Sequence, residues 1–161
     1  MTDVRQFCTF YLGGQYFGLD VLKVQEIIRF QPMTRVPLGH PVVRGLMNLR
    51  GQIVTALDLR RRLDLPERPD GESPVNVVVQ ADDGAVSLLV DEIGDVLEAS
   101  DDQFERPPET LRGVARDLIR GTYKLSDRLL LILDIDQAVS LPGVNRETNQ
   151  SSGNGGRLAR T

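Results

Sequence analysis

Two stretches of this 161-residue chain repeat each other, and the repeat limits what the chain can fold into. RGLMNLRGQIVTALDL, starting at Arg44, aligns with RGTYKLSDRLLLILDI, starting at Arg120, at a shift of 76 (120 − 44). Arg44/Arg120, Gly45/Gly121, Leu49/Leu125, Leu57/Leu133 and Asp58/Asp134 are then identical, and Ile53/Leu129 and Leu59/Ile135 are apolar in both. An earlier pair, FGLDVLKVQEII from Phe17 and VSLLVDEIGDVL from Val86, matches at a shift of 69 (86 − 17). Two blocks repeated in the same order mark a duplicated structural unit. Each copy opens with a hairpin, runs through an apolar-x-acidic-apolar stretch, and closes with a second hairpin and an Asp that starts a short helix. That is enough for a small closed β-barrel of about five strands per copy. A unit of that size buries only a modest core, so two copies are expected to share apolar surface. The junction between them is a natural groove for a partner.

The local signals agree with an all-β chain. Val4–Leu12 reads as a strand, Gly13-Gly14 as a tight turn and Tyr16–Leu19 as the returning strand. Ile53–Leu57 reads as a strand. Val75, Val77 and Val79 alternate, Asp83-Gly84 turns, and Val86, Leu88 and Val90 alternate on the way back. Leu129, Leu131, Leu133 and Ile135 alternate again. Helices are expected to be few and short: Asp20 capping a turn or two through Val21, Val24 and Ile28, Asp58 capping Leu59–Leu63, and Asp134 capping Ile135–Val139. Pro66, Pro69, Gly71 and Pro74 make a linker-like interruption. The reading is one domain over 4–143, with pseudo-repeats at 4–63 and 75–141 and a disordered polar tail at 144–161.

Composition removes several function classes. With 19 basic and 23 acidic residues the net charge is −4, which argues against nucleic acid as the main partner, although a small β-barrel binding RNA is the rival reading. No apolar run approaches the ~18 residues of a membrane helix, and MTDVRQF does not look like a secretion signal. One cysteine, Cys8, permits no internal disulfide and fits a reducing cytosol. With Cys8 and a single histidine, His40, the chain is short of ordinary zinc ligands. His40 lies between Gly39 and Pro41 and reads as a turn residue; it is the residue a hydrolase reading would need. No phosphate-binding loop occurs. The acidic pairs Asp82-Asp83, Asp91-Glu92 and Asp101-Asp102 read as turns or solvated element ends, and Asp134 and Asp136 as a helix cap and a first-turn charge. Arg60-Arg61-Arg62 reads as a solvated helix face. No catalytic, cofactor or metal residue is assigned.

What remains is a contact surface. Val24 and Glu26 lie on a stretch that must bury one side and show the other, and Arg50 sits at a hairpin tip. A Glu26–Arg50 pair beside a groove would shape a docking surface whose affinity comes from nearby Val and Ile side chains.

YFGLDVLKVQEII, VRGLMNLRGQIVTALDLRRRL, VSLLVDEIGDVL and RGTYKLSDRLLLILDID, in that order, resemble CheW-type chemotaxis coupling proteins from about Val4 to Leu141. The resemblance implies two SH3-like β-barrels around a shared core and no catalysis. It implies a cytoplasmic adaptor, recruited to membrane-associated arrays, that bridges the tips of methyl-accepting chemoreceptors to the regulatory domain of the histidine kinase CheA. Contacts with other CheW-like domains are part of the same implication. Carried over by position, receptor docking falls on Val21, Val24, Glu26, Arg50, Ile93 and Val96, and kinase contact on Val36, Pro37, Arg44, Gly45 and Leu46. The resemblance leaves open a type IV pilus or other chemosensory pathway.

Overall fold

Glycine turns and alternating apolar residues form the first hairpin where the sequence places it. In the computed structural model, which describes residues 3–141 apart from 38, 83 and 112, β1 (Val4–Leu12) pairs antiparallel with β2 (Gln15–Asp20). The turn holds Gly13 at φ 58° and Gly14 at φ 79°, left-handed values that side chains resist. The expected tail at 144–161 lies outside the described residues, as does Asp83 of the second expected turn.

The chain then departs from expectation. Asp20 caps only a single 3-10 turn, Val21–Lys23, accepting from the Leu22 N–H at 2.9 Å. Val24–Arg29 continues as strand β3, not as helix. Val24 and Ile27 sit opposite Val79 and Val77 of β6 (Val75–Ala81), and this cross-strand packing of β-branched residues outweighs a weak local helical pattern.

The remaining elements are β4 (Val43–Leu49), β5 (Gln52–Asp58), α1 (Leu59–Arg62), β7 (Gly84–Val90), β8 (Glu92–Ser100), α2 (Val114–Leu118), β9 (Ile119–Lys124), β10 (Leu129–Leu133) and α3 (Ile135–Val139). Helix α2 had no signal of its own in the sequence. Asp58 accepts from the Arg60 N–H at 3.1 Å and Asp134 from the Gln137 N–H at 3.2 Å, so both repeated aspartates cap helices as expected.

One five-stranded sheet has the order β8-β1-β2-β10-β9 and the other β3-β6-β7-β5-β4. Equating strands five places apart turns one order into the other. Each sheet takes its opening hairpin from one half of the chain and its other three strands from the other half. This corrects the expectation that each copy closes its own barrel. The reason is the length of the connections. β8 and β2 are both antiparallel to β1, so they run parallel to each other. For β3 to take the place of β8, it would need the dozen or more residues of a crossover. Only Val21–Lys23 separate β2 from β3, and only Asp91 separates β7 from β8, so each chain crosses to the neighbouring sheet instead.

Isolated bridges, Thr34 to Leu46 and Glu105 to Thr122, bring the chain after each outer strand back onto the opposite edge of its sheet. They explain the repeated glycine of the Arg-Gly pair. A Cβ on Gly45 would stand 2.8 Å from the Thr34 carbonyl oxygen, and one on Gly121 2.5 Å from that of Glu105. The largest core cluster joins Phe10, Leu12, Phe17 and Leu19 of one sheet to Val77, Val79, Leu88 and Val90 of the other. Each sheet keeps a smaller cluster of its own, around Phe7, Tyr16, Tyr123, Leu130 and Ile132, and around Met47, Leu49, Val54 and Val78.

Candidate docking surface

The outer strands β3 and β8 carry apolar side chains outward from the shared core. Val24 lies opposite Val79 and Ile93 opposite Phe10, and both pack, half-buried, on the cluster common to the two sheets. Cross-strand partners share a face. Farther along, Ile27 lies opposite Val77 and is 42% exposed, while Val96 lies opposite Cys8 and is 56% exposed. The Val21–Lys23 turn touches β1 of one sheet and β6 of the other, which places half-buried Val21 and 88% exposed Leu22 at the junction. Sequence reasoning missed Ile27 and Leu22. The repeat could have found Ile27, since 27 + 69 = 96 makes it the counterpart of Val96.

Glu26 and Arg50 form the anticipated ion pair, but on another face. The register of β3 shifts between Val24 and Glu26, and such a bulge re-aims the following side chain. Glu26 consequently lies opposite Val78, in the second sheet's own cluster, and not opposite the shared core. With Arg50 it borders a cavity of about 110 Å³ lined also by Leu49, Gln52, Val54 and Ala85. Glu26 Oε1 is buried without a hydrogen-bond partner. Arg50 is held at φ 50° in the β4–β5 turn, where Asn48 Oδ1 accepts from the Gly51 N–H at 2.8 Å. The six residues expected to dock a receptor thus divide into a seam group, Val21, Val24, Ile93 and Val96, and a barrel-mouth pair, Glu26 and Arg50.

The five residues expected to contact a kinase meet where the second sheet closes. Leu46 exchanges two 2.8 Å backbone hydrogen bonds with Thr34. Gly45 is buried beneath that bridge, Val36 is half-buried, and Pro37 and Arg44 are exposed. The exposed pair can make contacts; Gly45 gives the bridge room to form.

A buried ion cluster escaped the sequence reading. Arg60 Nε donates to Asp91 Oδ1 at 2.9 Å, Arg68 Nε to the same oxygen at 3.0 Å, and the Gly13 N–H to Asp91 Oδ2 at 2.9 Å. Burial by itself would raise the Asp91 carboxyl, but the hydrogen bonds from Arg60, Gly13 and Arg68 outweigh it and hold the group below its ordinary value. Arg60 also donates to the carbonyls of Pro66 and Glu67, which ties the proline-rich linker down. Arg62 donates to the Ala138 and Gln137 carbonyls at 2.9 and 3.0 Å, at the end of α3. The arginine run and the Asp91 pair are therefore not simply solvated: Arg60 and Asp91 seal a junction, and only Arg61 keeps an exposed position. No spacing rule would have paired residues 60 and 91.

His40 Nδ1 accepts from the Val42 N–H at 3.1 Å, a turn-stabilising contact. Burial pushes the Cys8 thiol up, away from the reactive thiolate. Among the described residues no group of three His, Cys, Asp or Glu side chains could hold a metal ion, and no helix is long and apolar enough to cross a membrane.

The chain is similar to known proteins. Residues 6–142 match the family model described as CheW-like domain. The chain is 32% identical over 136 residues to the chemotaxis protein CheW of Klebsiella aerogenes, covering 84% of this chain and 82% of that one. It is 32% identical over 151 residues to the chemotaxis protein CheW of Bacillus subtilis, covering 92% of each. The crystal structure of the scaffolding protein TtCheW from Thermoanaerobacter tengcongensis matches with a TM-score of 0.78 at 23% identity, over 88% of this chain and 96% of that one, which shows a common fold.

Proposed function

The chain belongs to the CheW-like family, and from that premise we propose that it bridges chemoreceptor tips to a CheA-type histidine kinase. As a family member it is a non-catalytic scaffold of chemotaxis signalling. Its working surface is the seam face: apolar residues of β3 and β8 that continue the shared core into the open, with Ile27 and Val96 exposed, carry the reading. A receptor helix would lay its apolar side chains along that face, in the helix-in-groove mode. The Glu26–Arg50 pair would hold the barrel mouth beside it. The kinase would meet the edge of the second sheet, around Val36, Pro37, Arg44 and Leu46, with the protein recruited from the cytoplasm to receptor arrays. A scaffold can shift the kinase equilibrium only through contacts that differ between kinase states. Signalling through this chain therefore requires both surfaces to be occupied together.

The test uses Val24→Asp and Arg50→Ala variants whose urea unfolding confirms a folded state. Each is expected to weaken receptor binding by ~1–3 kcal/mol and to lower kinase activation in a reconstituted receptor–kinase assay. Folded variants that bind and activate normally would show the receptor surface to lie elsewhere. Arg44→Glu is expected to weaken kinase binding while leaving receptor binding intact.

A further inference from the structure

A cavity of about 190 Å³ opens beside the crossing from β2 to β3, lined by residues of several elements, among them Lys23, Phe104, Arg120, Tyr123 and Asp136. It is smaller than the ~300–1,000 Å³ of ordinary small-molecule sites, so it suits one side-chain head group. Most of its other charges are already engaged. Arg5 pairs with Asp101 at 3.0 Å, Asp20 caps the 3-10 turn, and Asp134 caps α3. Asp136 is the exception: its Oδ1 is buried with no hydrogen-bond partner. Arg120 and Lys23 are exposed. The unmet demand in the cavity is therefore for a donor, and an unserved buried acceptor costs about 1–3 kcal/mol.

The other half of the chain shows the kind of donor a carboxylate takes at such a crossing. Residue 136 is the counterpart of residue 60 (60 + 76 = 136). In the other half, Arg60 and Arg68 put guanidinium groups on a carboxylate at the equivalent crossing. Here Asp136 stands in the place of Arg60, and among the described residues no guanidinium donates to its Oδ1, although Arg5 and Arg120 line the same cavity. Two aromatic rings, Phe104 and Tyr123, with centroids 5.4 Å apart, also line the cavity. Rings of this kind favour a planar guanidinium over an ammonium, and the same sheet already stacks Arg128 4.3 Å from the Tyr16 ring centroid. The Cβ–Cγ torsion of an aspartate is soft and roughly two-fold, so Asp136 can meet an incoming donor without backbone movement.

We propose that this cavity is a receptacle for an arginine side chain of a partner protein, held by Asp136 and the Phe104 and Tyr123 rings. The inference does not depend on the receptor and kinase surfaces assigned above. The full chain is titrated with N-acetyl-arginine amide, its lysine and citrulline counterparts, and free L-arginine, while the amide resonances of Phe104, Tyr123 and Asp136 are followed. The arginine derivative is expected to saturate, to bind more tightly than the lysine one, and to leave citrulline without effect. Asp136→Asn should weaken it about tenfold. Lys23→Gln should tighten it by removing a like charge, a gain that no folding defect can mimic. The proposal is overturned if shifts do not saturate, if citrulline matches arginine, or if both variants bind as the unaltered chain does. Free arginine binding far more tightly than its capped form would overturn the protein side chain as the source.

Discussion

The two crossings between the sheets are built alike and finished differently. Where β7 passes into β8, Asp91 is gripped by Arg60, Arg68 and the Gly13 N–H, and the junction is sealed. Where β2 passes into β3, Asp136 takes the place of Arg60, its Oδ1 has no hydrogen-bond partner among the described residues, and a cavity stands open. What the two share is what the topology requires: the capping aspartates, the glycine beneath each closing bridge, and the hairpins. What differs is the set of side chains that fill the junctions. A duplicated framework thus carries an ion cluster at one crossing and an open cavity at the other.

Removing the lock is the strongest way to break that contrast. Asp91→Ala leaves buried Arg60 and half-buried Arg68 without their carboxylate and is expected to cost up to about 3–5 kcal/mol in urea unfolding. Asp136→Asn, at the counterpart junction, breaks no ion pair among the described residues and is expected to cost far less in the same measurement. Equal losses would mean that the two ends are sealed alike after all.

The lock should also be visible in acid. The folded Asp91 carboxyl lies below its ordinary value, so its contribution is complete above the unfolded value of about 3.9 and is lost as pH falls through the folded one. Stability of the unaltered chain should therefore fall more steeply below about pH 4 than that of Asp91→Asn. Parallel acid profiles would remove Asp91 as the cause.

The closing bridges offer a finer contrast. Gly121→Ala must displace both the Phe104 ring and the Glu105 carbonyl, whereas Gly45→Ala meets mainly the Thr34 carbonyl and Met33 Cβ. Overpacking of this kind costs about 1–3 kcal/mol, with Gly121→Ala expected at the upper end and Gly45→Ala below it. A reversed order of denaturation midpoints would mean that the first bridge is the more rigid. Smallest of all is Arg50→Ala, which breaks an ion pair whose arginine is 75% exposed. It should cost about 0–1 kcal/mol of stability while still weakening receptor binding, a separation that marks a contact residue and not a structural one.

Much of the fold and part of the site were legible in the residues. Gly13-Gly14 announced its hairpin, Asp58 and Asp134 their helices, and the valine alternation of β6 its strand, because each depends on neighbours a few positions away. Val24 and Arg50 were legible as surface residues for the same reason. The strand at Val24–Arg29 was not, since its partner is some 50 residues distant and a short apolar pattern fits helix and strand alike. Glu26 was paired correctly with Arg50, yet the bulge that turns it away from Val24 has no local signature.

By itself the sequence determined the class of fold, the duplication, the turns and caps, and the family whose pattern it carries. Tertiary structure alone decided which hairpin joins which sheet, because a three-residue connection and a one-residue connection forbid return to the same sheet. It alone also turned Asp91 and Arg60 from apparent surface charges into a buried pair. Burial is a property of the assembled neighbours, and two residues 31 positions apart become neighbours only when the crossing brings them together.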